Sequence, residues 1–170
     1  MKNLMKWLSM ELLLSATAGV AHGADMSDKE FLTRATHHNQ LEVRLGHMAV
    51  ERASTSEVKT MGESMVKNHS ELEKQLEDLT QKAGGSVNSE LSSEQRAIIT
   101  RLESLSGPDF DRDFKKTLNG IHVRELAMYQ DEVKHAQDPQ LLALAQKRVT
   151  KLEMTVKQAG KTEEPTNKDW

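Results

Sequence analysis

Residues 54–85 read STSEVKTMGESMVKNHSELEKQLEDLTQKAGG, and this stretch decides the fold. Val58, Met61, Met65, Leu72, Leu76, Leu79 and Ala83 recur at helical spacing on one face. Gly62 and His69 fill the gaps, so the buried seam steps by four and three throughout. Ser54 with Glu57 makes a capping box at the start, and Gly84-Gly85 stops the helix. Seven turns of amphipathic helix cannot bury their stripe alone and need partner helices.

Working outward, Ser27-Asp28-Lys29-Glu30 is another capping box. It opens a helix to about Ala53, with Phe31, Ala35, Leu41, Leu45, Met48 and Ala49 inward. The connection from Ala53 to the next helix is so short that the pair must form an antiparallel hairpin. After a polar loop from Ser86 to Leu91, a shorter helix from about Ser93 to Leu105 carries Ala97, Ile98, Leu102 and Leu105. Gly107-Pro108-Asp109 starts a long helix to about Ala136, striped with Phe110, Phe114, Leu118, Ile121, Met128 and Val133. Asp138-Pro139 caps a last helix carrying Leu141, Leu144, Ala145, Val149, Leu152 and Val156, with Gly160 expected to end it. The reading is all-α: an antiparallel four-helix bundle made of two hairpins joined through a short crossover helix.

Composition agrees. Aromatics are 4% of residues, there are 3 prolines, and helix formers dominate. With no cysteine, disulfides and thiolate ligands are excluded. A formal charge of −3 and the lack of a basic stripe argue against a nucleic-acid partner. Lys2 and Lys6, the apolar run from Trp7 to Val20 (broken by Glu11) and Ala21-His22-Gly23 read as a signal peptide. The expected organisation is a signal peptide at 1–23, the bundle at 24–160 and a disordered tail at 161–170. The mature chain has no other apolar segment of spanning length, so a periplasmic location follows, with peripheral outer-membrane association as a further expectation.

The chemistry-bearing candidates are polar residues inside the stripes. At ~1.5 Å per residue, Glu42 lies about 16 Å before its helix ends and His69 about 20 Å after the next begins. By the same measure His122 lies about 21 Å before the end of the long helix and Thr155 about 24 Å into the last one. All four are therefore expected at mid-height, with Glu125 one turn from Ile121 and His38 one turn from Glu42 in support. Two imidazoles and a carboxylate can share one divalent metal (Zn, Fe or Mn by donor type) with coordination positions left open. The same groups can instead hydrogen-bond to one another as a structural polar layer. The dinuclear iron signature needs Glu three residues before each His. Val66 and Asn119 stand there, so a ferroxidase is not expected. No complete catalytic set is present, so the reading leans away from an enzyme and leaves that question open. His37 is expected at the surface, His47 with Glu51 as a surface pair, and His135 as a favourable charge at a helix C-terminus. Met48, Met61, Met65, Met128 and Met154 read as core filler.

Several stretches carry a resemblance. They are Asn39-Gln40-Leu41-Glu42-Val43 with Leu45 and Ala49, Val58-Lys59, Met65-Val66-Lys67-Asn68-His69, and Asp109-Phe110-Asp111 leading to His122. In order and spacing they resemble the exported bacterial, ferritin-like family known as domain of unknown function 4142, over about residues 28–159. The resemblance implies a ferritin-like bundle in the periplasm or at the outer membrane, of unsettled activity, with Glu at position 42 and His at 69 and 122. It also implies a Leu-Pro pair and a later His on the last helix, where this chain has Val149-Thr150 and Thr155. Two functional expectations follow: a bundle holding one metal at Glu42, His69 and His122 with Glu125, or a non-catalytic envelope stress or interaction protein whose polar layer is structural.

Overall fold

The computed structural model describes residues 27–87 and 90–163, with side chains described as far as residue 160. The expected signal peptide (1–23) lies outside these residues. Five helices follow one another: α1 (Asp28–Arg52), α2 (Ser56–Lys82), α3 (Ser93–Glu103), α4 (Gly107–His135) and α5 (Pro139–Glu163). No strand occurs among the described residues. α1 packs chiefly on α2 and α4 on α5, giving the expected four-helix bundle of two hairpins with α3 in the crossover.

Local chemistry sets the helix ends. At α1, Ser27 Oγ accepts from the Glu30 amide at 3.4 Å, and the Glu30 carboxylate accepts from the Ser27 amide at 3.0 Å. The cap of α2 is Thr55 rather than the expected Ser54; Thr55 Oγ1 accepts from the Val58 amide at 3.4 Å. The Ser54 hydroxyl instead donates to Asp111 of α4. Gly84, at φ 68°, closes α2. Its amide donates to Gln81 O and the Gly85 amide to Thr80 O, so the last carbonyls are satisfied. The last helix differs from expectation: α5 runs through Gly160 to Glu163, so residues 161–163 of the expected tail are helical. A glycine in open space costs a helix only about 1 kcal/mol, and Gly160 is such a position.

Two aspartates mate the hairpins. Asp111, in the first turns of α4, accepts four hydrogen bonds from the α1–α2 turn. Its Oδ1 takes the Ser54 amide at 3.0 Å. Its Oδ2 takes the Ser54 hydroxyl at 2.9 Å, the Thr55 amide at 2.9 Å and the Thr55 hydroxyl at 2.7 Å. At the opposite end Asp28 of α1 accepts from the Gln137 and Asp138 amides of the α4–α5 turn, at 3.1 and 2.9 Å. Each hairpin thus holds the other's turn by a charge-assisted contact, which sets the relative height of the four helices. Within the first hairpin, α1 and α2 approach closely at Gly46 and Gly62. A Cβ on Gly62 would stand 2.7 Å from the Gly46 carbonyl and 2.8 Å from Ala49 Cβ.

The apolar core comes in two clusters. One contains Leu45, Met48, Val58, Met65, Phe110, Phe114, Leu118 and Ile121, closed by Leu91 and Leu102 around α3. The other contains Phe31, Leu72, Leu76, Leu79, Tyr129, Leu141, Leu144 and Leu152. α3 is fastened by Gln95, which donates to His37 O at 3.1 Å, and by Arg52, which donates to the Glu103 and Leu105 carbonyls. Two expectations need correction. The buried line of α4 is Phe110, Asp111, Phe114, Leu118, Ile121, Glu125, Tyr129 and Glu132, so Met128 and Val133 are only partly buried. A reading by apolar residues alone missed that polar members continue the stripe. Met154, expected in the core, is 62% exposed, and none of residues 153–160 of α5 is buried.

Candidate functional site

Between the two clusters lies a polar layer to which α1, α2, α4 and α5 all contribute. α1 supplies Asn39 and Glu42, α2 His69, α4 His122 and Glu125, and α5 Arg148. Glu42, Glu125 and Asn39 are at most 1% exposed, and His69 5%. The three residues expected at one height do meet. His69 Nε2 is 2.6 Å from Glu42 Oε2, and His122 Nε2 is 3.6 Å from Glu42 Oε1. The Glu125 carboxyl, the fourth expected member, lies near enough for the Glu42 charge to act on it.

Asn39 fixes the chemistry of His69. Its Nδ2 donates to the His69 carbonyl at 2.9 Å. A carbonyl can only accept, so Asn39 Oδ1 must be the atom 2.9 Å from His69 Nδ1. Nδ1 therefore carries the hydrogen, and in the neutral ring Nε2 is a bare lone pair aimed at Glu42. A lone pair and a carboxylate oxygen 2.6 Å apart repel unless a cation lies between them, and the smallest is a proton. Neither Glu42 oxygen receives a hydrogen bond from a backbone amide, hydroxyl or side-chain amide.

Burial controls the ionisation. It pushes Glu42 up, opposed by His122 and Arg148, and pushes Glu125 up to about 8, aided by the neighbouring Glu42. It pushes His69 down to about 4 and lowers His122, which the Glu42 charge partly restores. At neutral pH the rings are thus uncharged and the paired carboxyls keep a proton.

Arg148 supplies the positive charge. Its Nη2 is 3.1 Å from Glu125 Oε2, and its guanidinium lies 5.6 Å from the Tyr129 ring centroid. The residue is 8% exposed, and its buried Nε has no acceptor. The sequence reading missed Arg148, although the signal was present. It interrupts the line Leu141, Ala145, Leu152 at the step of three where an apolar residue is due. Thr155, expected in the layer, is not a member; its hydroxyl donates to the Lys151 carbonyl of its own helix at 3.0 Å. His38, expected in support of Glu42, is half-buried, and burial, with Arg124 nearby, lowers its pKa. His37 is half-buried rather than exposed, and His135 lies 3.6 Å from Asp131 in the last turn of α4.

The donor set suits a divalent cation: two imidazole nitrogens, two carboxyl groups, and a histidine oriented through its far ring nitrogen as metal-binding histidines are. The spacing as it stands is closed. Ligands with bonds of about 2.0–2.1 Å to one ion sit roughly 3 Å or more apart, whereas His69 and Glu42 are in proton-sharing contact. Among the described residues no three His, Asp or Glu side chains close on a common point as metal ligands.

Fold and site define a class: a four-helix bundle whose apolar core is divided by a buried layer of acid, imidazole and guanidinium. The chain belongs to the DUF4142 family, a domain of unknown function, whose profile matches residues 14–162. No curated protein sequence matches it. Among solved structures it is similar to a putative secreted protein DUF305 from Streptomyces coelicolor, at 14% identity and a TM-score of 0.68 over 82% of this chain and 92% of that one. It is also similar to CopM in its Ag-bound form, at 17% identity and a TM-score of 0.67 over 83% and 98% of the two chains. Similarity to CopM in its Cu(II)-bound form is at 17% identity and a TM-score of 0.67 over 79% and 94%. Among the described residues no helix is long and apolar enough to cross a membrane.

Proposed function

We propose that this chain is an exported metal-handling bundle that takes one divalent cation at Glu42, His69 and His122, with Glu125 as a further oxygen donor. The observation that carries this is the convergence of two Nε2 atoms on opposite oxygens of one buried carboxylate, at 2.6 and 3.6 Å, with no other donor serving it. Nitrogen and oxygen donors without sulfur suit Zn(II), Fe(II), Mn(II) or Cu(II). The binding of copper and silver by the structurally similar CopM favours a role in metal handling. Export rests on the signal-type composition of residues 1–23. A bound ion would neutralise the buried acids and act as a Lewis acid. The chain's own residues set its surroundings: Asn39 orients His69, and the two apolar clusters keep bulk water from the layer.

The test is isothermal titration of untagged, metal-stripped protein with Zn(II), Cu(II), Fe(II) and Mn(II), beside the H69A/H122A double variant. One-to-one binding of at least one ion, lost in the double variant, is expected. No binding, or binding indifferent to the double substitution, overturns the reading. A second reading is favoured by the Arg148–Glu125 ion pair and the closed 2.6 Å contact: the layer serves only to fix helix register. In that case His69→Leu keeps or raises stability, and no ion binds.

A further inference from the structure

We propose that Arg148 is the resident cation of this site, holding the acid pair while the layer is closed and leaving it when a divalent ion enters. This rests on the metal reading above and assigns the site its gate. Arg148 is anchored lightly for a buried guanidinium. One nitrogen reaches Glu125 Oε2 at 3.1 Å, the planar face lies 5.6 Å from the Tyr129 centroid, and Nε has no acceptor. A paired fork would have engaged both carboxylate oxygens. Charge counting makes the occupants exclusive. Two carboxylates offset two positive charges; a divalent ion supplies both, and a guanidinium kept beside it would leave an uncompensated buried charge. The helix that carries Arg148 has room to respond. Its buried residues are Leu141, Leu144, Ala145, Arg148 and Leu152, and its remaining turns, to Gly160, bury nothing. Outward movement of one long side chain frees the Glu125 oxygen and ends the guanidinium's contact with the Tyr129 ring.

Zn(II) affinity of the wild type and of R148Q, measured by competition against a chelator on the metal-stripped full chain, tests the proposal. Removing a like charge from beside the ion should tighten binding at least tenfold, with the helical circular dichroism intact. A folded R148Q that binds Zn(II) equally or more weakly overturns the gate while leaving the metal reading standing. Absence of binding in both proteins overturns the metal reading itself. Should R148Q fail to fold, the wild type answers by NMR. Tyr129 is the chain's single tyrosine. Saturation with Zn(II) should shift its ring signals and move the Arg148 Nε–H resonance to that of a solvated arginine. If both signals stay at their metal-free positions while Zn(II) binds, Arg148 has not left and the gate is refuted.

Discussion

Replacing Asp111 isolates the contact that sets one hairpin against the other. Its carboxylate takes four hydrogen bonds of 2.7–3.0 Å from Ser54 and Thr55, and the residue is 5% exposed. A hydrogen bond to a charged group contributes about 1.5–3 kcal/mol where no water can replace it. The turn is only part-buried, so water recovers much of this, and Asp111→Ala should cost about 2–4 kcal/mol. Asp111→Asn keeps the shape and one carbonyl oxygen. With that oxygen kept on the three donors at the Oδ2 position, its amide nitrogen would face the Ser54 amide, and a loss of about 1–2 kcal/mol is expected. Urea unfolding at pH 7, followed by circular dichroism, should show lower midpoints with unchanged slopes. The pH dependence adds a second check. Burial alone would raise the Asp111 carboxyl, but the bonds from Thr55 and Ser54 outweigh it and hold the group below its usual range. Its stabilising effect is therefore complete above the unfolded value of about 3.9 and disappears as pH falls through the lower folded value. The gap between wild type and Asp111→Ala should close in acid. A loss of under about 0.5 kcal/mol at pH 7, the range of an ordinary surface substitution, or a gap that widens on acidification, would refute the clasp.

Other consequences are open to the same methods. Glu132 is 1% exposed, and burial, with Asp28 and Asp131 nearby, pushes it up to about 7. A carboxyl raised on folding loses stability as pH rises from its unfolded value to its folded one, so Glu132→Gln should flatten the decline between about pH 4.5 and 7 and gain about 1–3 kcal/mol at pH 8; an unchanged pH profile would contradict this. Gly62→Ala places a methyl group against the Gly46 carbonyl at 2.7 Å. Thermal melts should show a loss of about 1–3 kcal/mol, and a neutral result would mean that the hairpin spacing is softer than its contacts imply. Asn39→Ala removes both 2.9 Å bonds to His69. It should cost about 2 kcal/mol and release the ring tautomer, visible as mixed Nδ1–H and Nε2–H populations in ¹⁵N spectra; a single retained tautomer would place its cause elsewhere.

Helix order, hairpin pairing and the meeting of Glu42, His69 and His122 were legible along the chain. Periodicity gives phase, and residue count gives height, for rods of constant rise. The same logic failed for Thr155. Thr155 continues the line of Arg148 and Leu152 two turns further on, but residues 153–160 of α5 bury nothing, and Arg148 is the residue that enters the layer. A long side chain reaches well beyond the level of its own Cα, so counting residues cannot say where a guanidinium ends. Apolar patterning likewise passed over Asn39, Tyr129 and Glu132, because their burial depends on partners from other helices rather than on their own hydrophobicity.

By itself the amino-acid order determined an all-α chain of two hairpins with a crossover, and a polar interruption at mid-bundle, since local propensity, caps and periodicity act over a few residues. Tertiary structure alone decided that Asp111 and Asp28 hold opposite turns, that Asn39 leaves one nitrogen of His69 bare, and that Arg148 occupies the layer. Each of these joins groups at least 23 positions apart, and such contacts depend on how separate helices are rotated and staggered, which no single helix encodes.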